Sequence, residues 1–115
     1  MTDLEALRDQ LREFAAARDW DQFHSPKNLA MALSAEAAEL LEIFQWLTEE
    51  ESRNLTPEAT AAASDEIADV LLYLIRIGDK LGIDPIDAAR RKLAANERKY
   101  PADKSRGNAK KYTEL

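Results

Sequence analysis

Asp65-Glu66-Ile67-Ala68-Asp69-Val70-Leu71-Leu72-Tyr73-Leu74-Ile75-Arg76-Ile77 decides the fold of this chain. Ile67, Ala68, Val70, Leu71, Leu72, Leu74, Ile75 and Ile77 cover most of the circumference of a helix, and a helix that is apolar nearly all round is a buried one. Glu66, Asp69, Tyr73, Arg76 and, a turn further on, Lys80 recur at three- and four-residue steps, so they draw a polar seam along it. Charged groups on a buried helix need partners or a ligand.

The same design stands thirty residues earlier. Glu36, Glu39 and Glu42 are set among Leu29, Leu33, Leu40, Leu41, Ile43 and Phe44. Glu36 with Glu39, and Glu66 with Asp69, each have i,i+3 spacing, which places two carboxylates about 60° apart and one turn along a helix. Four acids can then converge between two helices. Converging carboxylates repel and resist desolvation unless protons or a cation share the site, so the pattern points to divalent metal. Glu42, a further step round, lies at the edge of that face as an accessory ligand or outer group. Spacing alone leaves ordinary solvated helix faces as the alternative. Oxygen-only ligands suit Mg2+, with Mn2+ also acceptable. A di-iron carboxylate bundle wants a Glu-x-x-His pair on each of two helices, and His24 is the only histidine.

Outward from these segments the chain reads as helix throughout. Proline and glycine are scarce, and no strand-like alternation occurs. A first helix runs from the cap Thr2 to about Arg18. Ser25-Pro26 starts a second that extends to about Leu47, and Thr56-Pro57 starts the third, which runs to about Leu81. Gly82 stops it, and Asp84-Pro85 starts a fourth that ends near Lys99. Glu49 to Glu51 read as a polar connection. The expected fold is all-α, a four-helix-bundle domain over residues 1–101 followed by a basic C-terminal tail, 102–115, flexible alone or ordered against a partner.

The 115 residues carry a net charge of -6, but residues 98–115 hold six basic and two acidic side chains against ten and twenty before them. An acidic body argues against a nucleic-acid polymer as partner, because backbone binding needs a basic surface. There is no cysteine, so thiolate metal sites and disulfides are excluded. The longest apolar run, Val70 to Ile75, is far too short for a membrane span, and the acids at Asp3, Glu5 and Asp9 do not fit a signal peptide. The expectation is a cytoplasmic protein that gains burial by oligomerising.

On the fourth helix Lys92 and Asn96 share a face at i,i+4 spacing, where a cation and an amide can meet phosphate and sugar. Trp20, Trp46 and Tyr73 can stack on a base, although aromatics at helix ends also serve as core or subunit contacts. His24 is a hydrogen-bonding candidate in the first connection.

Glu36-x-x-Glu39, Glu66-x-x-Asp69 and Lys92-x-x-x-Asn96, with Asp19-Trp20-Asp21-Gln22-Phe23-His24, Phe44-Gln45-Trp46, Lys99-Tyr100-Pro101 and Lys111-Tyr112-Thr113, resemble the MazG-type all-α nucleotide pyrophosphohydrolases, and among them the dCTP pyrophosphatases. The resemblance covers nearly the whole chain. It implies Mg2+-dependent hydrolysis of a nucleoside triphosphate between its α and β phosphates, with dCTP or a modified dCTP as substrate, in cleansing of the nucleotide pool. By the same resemblance Glu36, Glu39, Glu66 and Asp69 are the metal ligands and catalytic acids, and Trp20, His24, Trp46, Tyr73, Lys92 and Asn96 the nucleotide contacts. A homotetramer built as a dimer of dimers is also implied. Leu11 departs from a histidine that mammalian members place near the sugar, and the connection between helices two and three is shorter here; both bear on base and sugar preference. The alternatives are a pyrophosphatase of broader or non-cytosine specificity and a noncatalytic helical interaction module.

Overall fold

Each long helix begins where a short polar side chain caps it. In the computed structural model, which describes all residues Met1–Leu115, these are α1 (Asp3–Ala17), α2 (Pro26–Phe44), α4 (Pro57–Leu81) and α5 (Pro85–Lys99); a short helix α3 (Glu49–Arg53) lies between α2 and α4, and another, α6 (Ala102–Ser105), follows α5. Ser25, Thr56 and Asp84 accept backbone N–H bonds from the first turns of α2, α4 and α5, each with proline at the first helical position. The all-α expectation and its four long helices therefore hold.

Two boundaries differ. The second helix stops at Phe44 rather than near Leu47, and the expected polar connection contains α3. One cause accounts for both. Thr48 and Glu51 form a reciprocal capping box, which requires extended backbone at Thr48 (ψ 165°) and so ends one helix to begin another. The terminal segment also has more order than its composition implied: α6 is helical, a 3-10 turn spans Tyr112–Glu114, and Tyr112 packs edge-on to Tyr100 at 6.1 Å with the Lys99 ammonium over its ring.

The chain divides into two compact units, Met1–Gly82 and Ile83–Leu115. In the first, α2 packs along α4 and α1 against α4. Glu36 meets Glu66, whereas Leu29, two turns earlier on α2, lies with Leu72, Tyr73 and Arg76, later on α4; the two helices are antiparallel. Leu29, Ile75, Ala15 and Ala63 form the buried core.

The expectation that the helix carrying Glu66 is buried all round needs correction. Ile67, Leu71 and Leu74 share one stripe of α4 and remain exposed, Ile67 to 57%. Within one chain, α1 and α2 cover only the other side, which bears Asp69, Leu72, Tyr73 and Arg76.

Candidate active site

Three of the four acids expected to converge, Glu36, Glu39 and Glu66, come together, and Asp69 is not among them. One carboxylate oxygen from each of Glu36, Glu39 and Glu66 lies within 4.8 Å of the others. Glu36 Oε2 and Glu66 Oε2 are shut off from solvent without any hydrogen-bond donor. Such atoms are costly if ionised and unpartnered, so either a proton or a cation must lie between them. A proton shared by the Glu36 and Glu66 carboxyls supplies one solution. Burial, the hydrogen bond to Glu36 and the charge of Glu39 push Glu66 up to about 7. Glu36 is held down by its bond to Glu66, but burial and the charges of Glu39 and Asp69 outweigh that bond and raise it. A hard divalent cation supplies the other solution, and a set of carboxylate oxygens lacking donors fits one. Glu42 is exposed and outside the cluster.

Asp69 stands one turn beyond Glu66 and belongs to the wall of an adjoining cavity. That cavity, about 220 Å³, is lined by Leu11, Phe14, Trp20, His24, Leu29, Asp69, Leu72, Tyr73 and Arg76. It is apolar on one side and carries a carboxylate, an imidazole, a phenol and a guanidinium on the other, the mixture by which a small site orients a planar polar ligand. Its size suits a nucleobase rather than a whole nucleotide.

The turn after α1 brings Trp20 to it. Trp20 N–H donates to Ala15 O at 2.9 Å and Asp19 N–H to Ala16 O at 3.1 Å, while Asp19 adopts a left-handed conformation (φ 54°). This is a Schellman ending, and it folds the chain back so that Trp20 meets Phe14 edge-on at 5.6 Å. His24 follows the 3-10 turn Asp21–Phe23 and accepts a hydrogen bond at Nδ1 from Arg76 Nε. Its pKa is lowered, first by burial and then by the charges of Arg76 and Lys80, against the opposing pull of Asp21.

Of the nucleotide contacts expected from the sequence, Trp20, His24 and Tyr73 share the cavity wall. Trp46 does not: α2 has already ended, and Trp46 stands 86% exposed in the connection to α3. Lys92 and Asn96 occupy α5 in the second compact unit, Lys92 exposed and Asn96 half-buried.

Four wall residues were not marked as ligand contacts in the sequence: Phe14, Leu29, Leu72 and Arg76. Arg76 had a visible signal, as a cation on the most apolar helix. The residue is 6% exposed, and its guanidinium binds Asp21 at 2.7 Å and Asp79 at 3.5 Å; Asp79 in turn takes a two-pronged bond from Arg12 at 2.5 and 2.7 Å, and Asp21 is also bonded by Lys80. The Arg12 bond holds Asp79 below the usual carboxylate range, and the Lys80 bond does the same for Asp21. This network fastens α1 and the Asp21–Phe23 turn onto α4 behind the cavity.

An all-helical chain that gathers three glutamates beside a base-sized cavity has the elements of a metal-assisted nucleotide hydrolase. A MazG-like family profile matches residues 31–115, and the chain belongs to that family. Over 114 residues, 97% of the chain, it is 44% identical to dCTP pyrophosphatase 1 from Bos taurus and to dCTP pyrophosphatase 1 from Homo sapiens, spanning 68% and 67% of their lengths. A pyrophosphatase of known crystal structure from Archaeoglobus fulgidus superimposes with a TM-score of 0.82 at 47% identity, covering 88% of this chain and 94% of its own. No helix is long and apolar enough to cross a membrane.

Proposed function

We propose that this protein hydrolyses dCTP, or dCTP modified on its base, between the α and β phosphates to give the monophosphate and pyrophosphate. The observation that carries the reading is the pair of donorless carboxylate oxygens on Glu36 and Glu66, gathered with Glu39 next to a cavity of nucleobase size. Family membership and the pyrophosphatase names of its relatives support the reaction class.

Glu36, Glu39, Glu66 and Asp69 are assigned as the holders of a divalent cation, Mg2+ or alternatively Mn2+. When bound, that ion supplies Lewis-acid neutralisation of phosphate charge and acidifies water. The chain's residues do the rest. Trp20 and Tyr73 flank the base and exclude water from it; by the match of their positions to the family's motifs, Trp46 is assigned among the aromatics around the base, and Lys92 and Asn96 to contacts with phosphate and sugar. Glu36 or Glu39 orients the attacking water and accepts its proton as the oxygen approaches the α phosphorus in line with the departing pyrophosphate.

The working unit is proposed to be a homotetramer, a dimer of dimers, supported by the open apolar stripe Ile67, Leu71 and Leu74. Residues 1–101 are assigned as the catalytic domain and 102–115 as a basic tail, a boundary later than the one between the compact units Met1–Gly82 and Ile83–Leu115.

A panel of nucleoside triphosphates, incubated with Mg2+ in H218O and analysed by mass spectrometry, tests the reaction. The expected result is fastest turnover of cytosine deoxynucleotides, with the label in the monophosphate. Label in pyrophosphate, or silence across the panel, contradicts it.

A further inference from the structure

Arg76 is the one charged residue of the chain closed off from solvent. An ion-pairing role explains its contacts to Asp21 and Asp79 but not the third. Its Nε–H donates to Nδ1 of His24 at 3.2 Å. A guanidinium has donors only, so Nδ1 must offer a lone pair, and a neutral imidazole with bare Nδ1 carries its hydrogen on Nε2. Nε2 has no partner within the chain and is not shut off from its surroundings. Both side chains line the cavity.

We infer that Arg76 is a positioning residue for substrate recognition: it locks His24 in the Nε2–H tautomer, so that the cavity meets its ligand with a hydrogen-bond donor and selects an acceptor oxygen on the nucleoside. An unassisted imidazole samples both tautomers and presents either a donor or an acceptor. The locked one presents only the donor, and a nucleoside that turns an N–H toward it leaves two donors facing each other, with neither paired. The network behind Arg76 sets the orientation, because Asp21 and Asp79 fix the plane of the guanidinium whose Nε faces the ring. That the ligand is a nucleoside rests on the function proposed above; the tautomer does not.

The tautomer is directly readable. His24 is the only histidine, so a protein labelled with 15N-histidine gives two imidazole nitrogen resonances that need no assignment by mutation. In the nucleotide-free protein the expected spectrum has Nδ1 in the unprotonated range and Nε2 in the protonated range. Arg76→Met should shift both toward the averaged values of a tautomer mixture, and Arg76→Lys, which keeps a donor, should restore part of the separation.

Arg76→Met is expected to fold, because Asp79 keeps Arg12 and Asp21 keeps Lys80. If it does not, the wild-type spectrum and Arg76→Lys still decide the matter. With dCTP, Arg76→Met should raise KM by about twofold, the cost of reselecting the Nε2–H tautomer from a mixture, with a smaller change in kcat. Arg76→Met made in a His24→Phe background should add little, since Arg76 acts through the imidazole that is already gone. A protonated Nδ1 in the wild type, or independent, multiplying effects of the two substitutions on KM, overturns the inference. A locked tautomer in a protein that turns over no nucleotide instead overturns the proposed function and leaves the lock standing.

Discussion

Glu66 is the residue on which chemistry and stability meet. Its carboxyl titrates near 7 rather than at the ordinary 4.5 because burial and the neighbouring glutamates disfavour its charge. A folded-state value raised above the unfolded one means that the folded protein holds the proton more tightly. This group's stabilising contribution is therefore complete below about pH 4.5 and is lost as pH rises through about 7. In EDTA the melting temperature should fall across that window, whereas with Mg2+ the fall should be smaller, and cation affinity should increase with pH as the shared proton leaves. Glu66→Gln keeps the shape and removes the charge; at pH 8 in EDTA it should melt no lower than the wild type. A substantially lower melting temperature would show that the charge stabilises the fold. The meeting of Glu36, Glu39 and Glu66 was legible in the sequence because i,i+3 spacing fixes the direction of side chains on a helix, whereas the place of Asp69 in the cavity wall was not. The Arg76 partnership was not, because Asp21 and His24 reach it from a turn more than fifty residues away.

At the scale of elements, the capping residues carried most of the reading. Ser25-Pro26, Thr56-Pro57 and Asp84-Pro85 are local signals, and each marks a helix start in the structure. The early end of α2 was equally local: Thr48-x-x-Glu51 is a capping box, hidden by the expectation that an apolar helix continues through Trp46 and Leu47. Left-handed residues end α1 and α4, and they predict changes of opposite sign. Gly82 (φ 69°) has open space where a Cβ would stand, so Gly82→Ala should cost about 1 kcal/mol from backbone strain alone. Asp19 (φ 54°) already carries that strain, and Asp19→Gly should relieve a similar amount, about 1 kcal/mol, less the one Gln22 bond that its carboxylate accepts. Urea unfolding of the two variants checks both. Equal signs would contradict the account of these turns.

For the whole molecule, the apolar circumference of α4 was legible but its meaning was not. The pattern marked the helix as one to be covered on every side, yet α1 and α2 cover only part of it and leave Ile67, Leu71 and Leu74 open. Sequence periodicity reports that a face needs burial without saying whether the covering element belongs to the same chain. Light scattering should give a mass near four times 13.0 kDa, and Leu71→Lys should shift it to smaller species with lower activity. A monodisperse monomer that turns over dCTP would remove the need for assembly. The central claim, that the glutamates between α2 and α4 form the reaction centre of a dCTP pyrophosphohydrolase, is tested most directly by assaying wild type and Glu66→Gln side by side with dCTP and Mg2+. The account predicts equal amounts of dCMP and pyrophosphate from the wild type and none above background from the folded variant; pyrophosphate release by Glu66→Gln at the wild-type rate would contradict it.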